Sequence, residues 1–359
     1  QDMSDAASVI PQGNDYAYMV TYTTTEGTSQ SQITGVYRDA NISSATTKEV
    51  PVTQISNVFS AGSWTWDDRT GLGPFNMFYA AISVGNNSGE TGALSNTPGH
   101  IAHILKPSDL TKTIANVSVD LTKYNVMLVI PTIYWYSDDT DPSAGATGHL
   151  YISNTKSNPY LNGNVNNNMK AYAHMVDGGT VYPYLCIGVY EAYVDPTYGL
   201  MSLSGVTPTG STTLEGFRTS VNIANAHITD GVGTYQMWNF YEWTLYKIIS
   251  QATIQSKDAQ TSVGQGNAPT ESPYPWNTAT ETAASKNGNG NSAGPYANNG
   301  NASSKGNAVY SKLYIENSWG SVWEFVDNTY LQSGVLRAGS SISSTTTSYY
   351  YGVDYTSIV

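Results

Sequence analysis

Apolar positions along this chain recur with two different periods, and the change from one to the other divides it into regions. "YAYMVTYTTT" (Tyr16 to Thr25) and "SQITGVYRDA" (Ser31 to Ala40) alternate with a period of two around the turn-forming "EGTSQ". That pattern predicts two strands, forming either a hairpin or an extended arm, within an N-terminal β-rich unit over residues 1–58. Tyr16, Tyr18, Val20 and Tyr22 share one face of the first strand. A denser region, residues 59–359, opens near "SWTWDDRTGLGPFNMFYAAI" (Ser63 to Ile82). "YNVMLVIPTIYWYSD" (Tyr124 to Asp138) reads as a buried strand in which Pro131 marks an edge or bulge. "GHLYISN" (Gly148 to Asn154) is its expected partner, and "YPYLCIGVYEAYV" (Tyr182 to Val194) is a further apolar strand.

The period then becomes helical. Thr212 and Glu215 have capping-box spacing, and Leu214, Phe217, Val221 and Ala224 follow as a stripe running to about His227. A second helix is predicted from about Gln236 to Ile254, with Met237, Tyr241, Leu245, Ile248, Ile249 and Ala252 as its apolar face. Residues 257–306 are dense in Gly, Asn and Ser and predict a long polar loop, mobile unless partners order it. Strand pattern returns in "VYSKLYIENSWGSVWEFVDN" and again in the polar tail. Strands, two helices, a loop and more strands predict an α+β fold.

Composition narrows the function. Charged residues are 12% of the 359, and there are 28 tyrosines. Polarity carried by hydroxyls and amides suits β-rich extracellular proteins. A net charge of -12, with Lys and Arg totalling 15, argues against a nucleic-acid partner. Cys186 stands alone, so no intrachain disulfide forms, and its apolar surroundings predict a buried, inert thiol. No apolar run reaches the length of a membrane span, so no membrane insertion is expected. A start at Gln1 rather than Met suggests processing. Glycosylation sequons at Asn41, Asn86, Asn116 and Asn301 fit a cell-surface location after removal of a signal peptide.

Candidate chemistry is sparse. Trp319, Trp323 and Phe325 place a heavy aromatic load within seven residues and are expected in the structural core. Glu316 and Glu324 have the types of an acid/base pair, but the expectation is that they accept hydrogen bonds from loop backbone or face solvent. Asp138, Asp139 and Asp141 form an oxygen-rich loop that is the one candidate for calcium, though without EF-hand spacing. His100, His103, His149, His174 and His227 are scattered. There is no phosphate-binding glycine loop and no G-x-S-x-G elbow, so a non-enzymatic protein with no cofactor is expected.

The motif order carries a resemblance. "VMLVIPTIYWYSD", "YLCIGVYEAYV", "SGVTPTGSTTLEGFRTSVNIAN", "NFYEWTLYKIISQATIQSKDAQTSVGQGN" and "ENSWGSVWEFVDN" follow one another as in the C-type-lectin-like module of phage tail and surface proteins. That module is similar in fold to the formylglycine-generating-enzyme group. The resemblance spans about residues 120–335 and begins near Ser63. Archaeal surface proteins look similar in "SWTWDD", "GPFNMFYAAI" and "SAGPYA". It implies two helices packed on a twisted antiparallel sheet. The cysteine-dependent oxidation of the enzyme group does not carry over, because Cys186 lies in a strand and has no second cysteine.

Three functional expectations result. The first is a self-assembling extracellular subunit of a filament, sheath or surface layer, a homopolymer in which Tyr16, Tyr18, Val20 and Tyr22 add a strand to a neighbour. The second is an adhesin that binds a cell-surface glycan or protein through residues 256–311, with Tyr274, Trp276 and Tyr296 as the candidate contacts. The third is a viral tail receptor-binding protein.

Overall fold

The computed structural model describes residues 15–23, 29–38, 72, 75, 77–85, 92–137, 150–153, 156, 163–175, 180–210, 212–254, 259–267, 286–300, 309–322, 324–332, 335–338 and 351–354. In chain order the strands and helices are β1 (Asp15–Thr23), β2 (Ser29–Arg38), β3 (Phe78–Ser83), β4 (Ile101–Lys106), β5 (Asp109–Thr113), β6 (Tyr124–Pro131), β7 (Tyr134–Ser137), β8 (Leu150–Ser153), α1 (Gly163–Asn168), β9 (Tyr184–Gly188), β10 (Tyr193–Asp195), β11 (Gly199–Met201), α2 (Leu214–Ala226), α3 (Phe240–Ile254), α4 (Ala259–Ser262), β12 (Tyr296–Asn298), β13 (Ser311–Leu313), β14 (Ile315–Glu316), β15 (Thr329–Gln332), β16 (Val335–Ala338) and β17 (Tyr351–Asp354). The fold is α+β, with few helices and antiparallel sheet pairing throughout the named strands.

The largest sheet has the order β5-β4-β3-β6-β9. Its centre explains the longest apolar run of the sequence. β6 is flanked by β3 and β9, and every residue from Tyr124 to Ile130 is buried. Tyr124, Val126, Leu128 and Ile130 join the main core with Leu245, Tyr246, Ile248 and Ile249 of α3 and with Leu313 to Ile315. Met127 and Val129 point the other way, into a smaller cluster with Ala80 and Ile82. A strand buried on both faces loses its alternation and reads as a continuous hydrophobic segment.

The expected strand Tyr124–Asp138 is in fact two. It stops at Pro131, where the Thr132 amide turns to the Pro183 carbonyl at 3.0 Å, and β7 begins a separate ladder with β8. At the N-terminus, β1 pairs with β2 from Asp15↔Arg38 to Thr23↔Ser29, so the hairpin rather than the free arm is realised.

Both long helices are shifted from their expected starts. α2 is capped by Thr213, whose hydroxyl accepts from the Gly216 amide at 3.0 Å, one residue beyond Thr212. α3 begins at Phe240 rather than near Gln236, because Asn239 caps it. The Asn239 side chain accepts from the Tyr241 amide, and Glu242 reaches back to the Asn239 amide at 2.8 Å. This reciprocal arrangement closes the first turn. α2 packs directly on the β11 backbone at Gly199 (φ +78°), where a Cβ would come within 2.2 Å of the Ser220 carbonyl oxygen. The polar segment 257–306 is not wholly detached. Its described flanks carry α4 and β12, and β12 pairs with β13.

Candidate functional site

The densest chemistry lies where residues 311–328 meet the turn after β9 and the segment 286–291. The chain there turns repeatedly. Tyr314, Asn317, Ser321 and Asn328 all have φ between 53° and 64°, a region that non-glycine residues rarely adopt. Such a path cannot hold a regular ladder, so its buried amides and those of its neighbours need other acceptors. Carboxylates supply them. Glu316, 2% exposed, accepts from the Gly288 amide at 2.8 Å and the Gly290 amide at 2.7 Å. Lys312, 1% exposed, donates to the Gly290 carbonyl at 2.9 Å, with its Nζ 5.7 Å from the Tyr79 ring centroid. Burial raises the Glu316 pKa and lowers that of Lys312 to about 8.

Glu191, just beyond β9, accepts from Ser321 Oγ at 2.9 Å, the Val322 amide at 3.1 Å and Asn317 Nδ2 at 3.1 Å. Burial, with the charge of Glu324 adding to it, pushes its carboxyl up to about 8. Burial likewise pushes the capping Glu242 up to about 7. Asp327 is fully buried and takes Arg218 Nη2 at 2.5 Å and the Asn328 amide at 2.7 Å. Each of these acidic groups is engaged by donors of its own chain. What this arrangement does chemically is fasten turns together.

The sequence-predicted residues scatter around this seam. Trp319 is partly buried against the main core, and its Nε1 donates to the Gly264 carbonyl at 2.9 Å. Trp323 lies outside the described residues. Phe325 is not in the core but 44% exposed, edge-to-face with Phe217. Its backbone is the anchored part, accepting from Trp238 Nε1, while the buried position two residues on belongs to Asp327. Glu316 takes the backbone-accepting role expected of it, and Glu324 is exposed.

Tyr296 stands on β12, 41% exposed, with its hydroxyl 2.9 Å from that of Tyr314 and the two rings edge-to-face. Tyr274 and Trp276 lie outside the described residues, as do Asp138, Asp139 and Asp141 and the sequon residues Asn41, Asn86 and Asn301. Asn116 is exposed on a tight turn at φ 61°. Tyr16, Tyr18, Val20 and Tyr22 lie in β1, in register with β2. Among the described residues no group of three or more His, Cys, Asp or Glu is placed to hold a metal ion. His100 pairs with Asp230, His174 with the Ile130 carbonyl and His227 with the Thr197 carbonyl.

One surface went unread in the sequence. Cys186 keeps exposed surface, contrary to the burial expected, yet desolvation by its surroundings pushes its thiol up to about 11, in line with the inert thiol expected. β9 ends the five-stranded sheet, so only its inward positions join the core; Ile187 is 6% exposed, whereas Tyr184 on the other face is 49% exposed. Val181 and Tyr182 just before it are 39% and 52% exposed. An apolar run looks the same whether its strand is covered on both faces or on one. The available signal was the tyrosines, whose polar tips suit a half-wet surface.

No family model, curated protein or solved structure matches the chain. Among the described residues, no helix is long and apolar enough to cross a membrane.

Proposed function

We infer that this chain is a non-enzymatic extracellular structural subunit that assembles with copies of itself, on a module of C-type-lectin-like type. The observation that carries this reading is the outer edge of β9. Among the described residues no strand pairs with it, and the surrounding run Val181 to Tyr190 contains no charged residue. Unpaired, uncharged strand edges are templates for association. The engagement of Glu191, Glu242, Glu316 and Asp327 by internal donors favours a scaffold over a catalyst. The composition, rich in tyrosine and poor in charge, favours an extracellular setting. Because β1 is already paired with β2, strand donation by the N-terminal unit would have to proceed through the outer edge of the hairpin.

Negative-stain electron microscopy of the natively secreted protein tests the reading. Filaments, sheets or other regular oligomers are expected. Dispersed particles of 38.6 kDa at every concentration would overturn it.

Tyr296 favours a second reading, an adhesin. Its ring is exposed, yet its hydroxyl and edge are fixed by Tyr314, which makes it a preorganised aromatic contact for a sugar face or a protein. Tyr296→Ala should abolish binding to glycan arrays or host cells; unchanged binding would remove this residue from the site.

A further inference from the structure

We propose that a second copy of this chain pairs antiparallel with the outer edge of β9, about a two-fold axis passing beside Cys186. This rests on the reading of the chain as a self-assembling subunit and names the contact.

The two ends of the five-stranded sheet differ. β5 is guarded. It carries Asp109 and Lys112, 3.3 Å apart, and its outer side is covered by the Lys112↔Ser118 bridge and by the Val119 amide bonded to the Thr111 carbonyl at 2.8 Å. Charge and covering are the usual protections of a sheet edge. β9 has neither along Tyr184–Gly188. Its inner side is filled by β6, from Met127↔Gly188 to Pro131↔Tyr184. Its outer side meets no strand among the described residues.

The strand is self-complementary about its midpoint. With Cys186 on the axis, Tyr184 lies opposite Gly188 of the second copy, Leu185 opposite Ile187, and Cys186 opposite itself. Gly188 sets no side chain of its own against the tyrosine, though Ser202 Cβ lies 3.1 Å from where its Cβ would be, and the aliphatic pair extends the core side of both sheets. The ladder also has natural stops. Pro183 offers no amide hydrogen, and the edge before it is occupied by the Met175↔Val181 bridge and by the Tyr182 amide bonded to the His174 carbonyl. Pairing therefore confines itself to Tyr184–Gly188 and joins two five-stranded sheets into one continuous sheet. Such a contact is isologous and closes on itself, so it yields a dimer; any longer polymer needs a different second contact.

Cys186 reports the register directly. Directly opposed residues in antiparallel strands have Cα atoms about 4.5–5.5 Å apart, inside the disulfide range of about 4.4–6.8 Å. Diamide treatment of the folded protein, in which the two thiols lose their hydrogens to diamide, should give a covalent dimer of twice 38.6 kDa on a non-reducing gel. Cys186→Ser, and the wild type unfolded in urea at the same concentration, should give none. Tyr184→Lys places a charge on the open edge without touching the core. It should eliminate the cross-link and leave a monomer by light scattering, with the thermal midpoint of the monomer retained. A cross-link that survives Tyr184→Lys would overturn the pairing. So would regular assemblies in which Cys186 stays fully reactive to maleimide, an outcome that leaves the self-assembly reading standing. Monomers with no cross-link at any concentration would overturn both. Covalent dimers without filaments would support the pairing and restrict the assembly to two copies.

Discussion

Arg218 of α2 and Asp327 are separated by 109 residues and meet with Nη2 2.5 Å from Oδ1. The two ends of this pair differ in exposure: the Arg218 side chain keeps 28% of its surface, while that of Asp327 keeps none. Around Asp327 the backbone is fastened too, its amide donating to the Trp238 carbonyl at 2.9 Å beside the Asn239↔Asp327 bridge. One carboxylate thus ties α2, the entry to α3 and the C-terminal segment.

That asymmetry predicts an order of damage. Arg218→Ala leaves a buried carboxylate without its cation and should cost about 3–5 kcal/mol. Asp327→Asn retains an acceptor and lets the partly exposed guanidinium take water, and should cost about 1–2 kcal/mol. Urea unfolding of the two variants checks the order; a larger loss for Asp327→Asn would contradict it.

Stability should fall from mildly acid to mildly alkaline pH. Glu191 and Glu242 have carboxyl pKa values raised from 4.5 to about 8 and about 7 by burial. The folded state therefore holds protons that the unfolded chain releases, and this contribution, full below about pH 4.5, is lost as pH rises through 7 to 8. Lys312, lowered from 10.5 to about 8, acts oppositely between pH 8 and 10.5, and His174, lowered from 6.5 by burial, acts oppositely below pH 6.5, where it offsets part of the fall. At low pH the carboxyls of Asp109 and Asp120, held down chiefly by the Thr111 and Thr122 hydroxyls, begin to withdraw stability. A thermal midpoint higher at pH 5 than at pH 8 is expected, a difference on the order of 2–4 kcal/mol. Glu191→Gln should flatten the fall.

The segment 286–291 should be held by Glu316. Glu316→Ala removes the acceptor of the buried Gly290 amide and of the partly buried Gly288 amide and should cost roughly 2–4 kcal/mol. Hydrogen exchange at Gly288 and Gly290 should accelerate well beyond the global change. Gly288→Ala tests the same junction from the other side. Its φ is +93°, and a Cβ would lie 2.1 Å from Ser204 Oγ, so it should destabilise at least as much.

Asn116 should be an accessible glycosylation acceptor. It is exposed on the turn closed by the Asn116 amide and the Thr113 carbonyl at 2.8 Å. Secretion from a glycosylating host should modify it, and Asn116→Gln should remove that glycan in a mass spectrum. An unmodified Asn116 peptide would exclude the site.

Periodicity carried the architecture further than the chemistry. The two long helices were visible because their stripes face one core, and their starts were missed by one residue at Thr213 and by four at Phe240. The second miss arose because Met237 and Tyr241 extend the apolar spacing past a cap formed by Asn239 and Glu242. Tyr124–Pro131 was legible as buried and Pro131 marked an edge or bulge, but nothing in the run says that the chain leaves there for a different sheet. That Glu316 would accept from loop backbone was one of two expectations, but which backbone it holds, at Gly288 and Gly290, had no local signal. Glu191 was not singled out, since nothing local announces that residues 317–322 will turn back onto it. Phe325 and Cys186 were misplaced for one reason: hydrophobicity reports a preference for burial, whereas strand position and backbone direction decide which face is covered.

Tyr79 of β3 donates its hydroxyl to the Tyr314 carbonyl, across 235 residues of intervening chain. The first strands of the central sheet thus cannot complete their core until residues 311–316 have emerged from the ribosome. Closing so long a loop is entropically slow, and contacts of this kind set a low folding rate. Newly made chains should complete this core only once residues 311–316 are available. The central sheet is thus finished by the segment furthest from it in sequence, and its rigidity depends on that late contact.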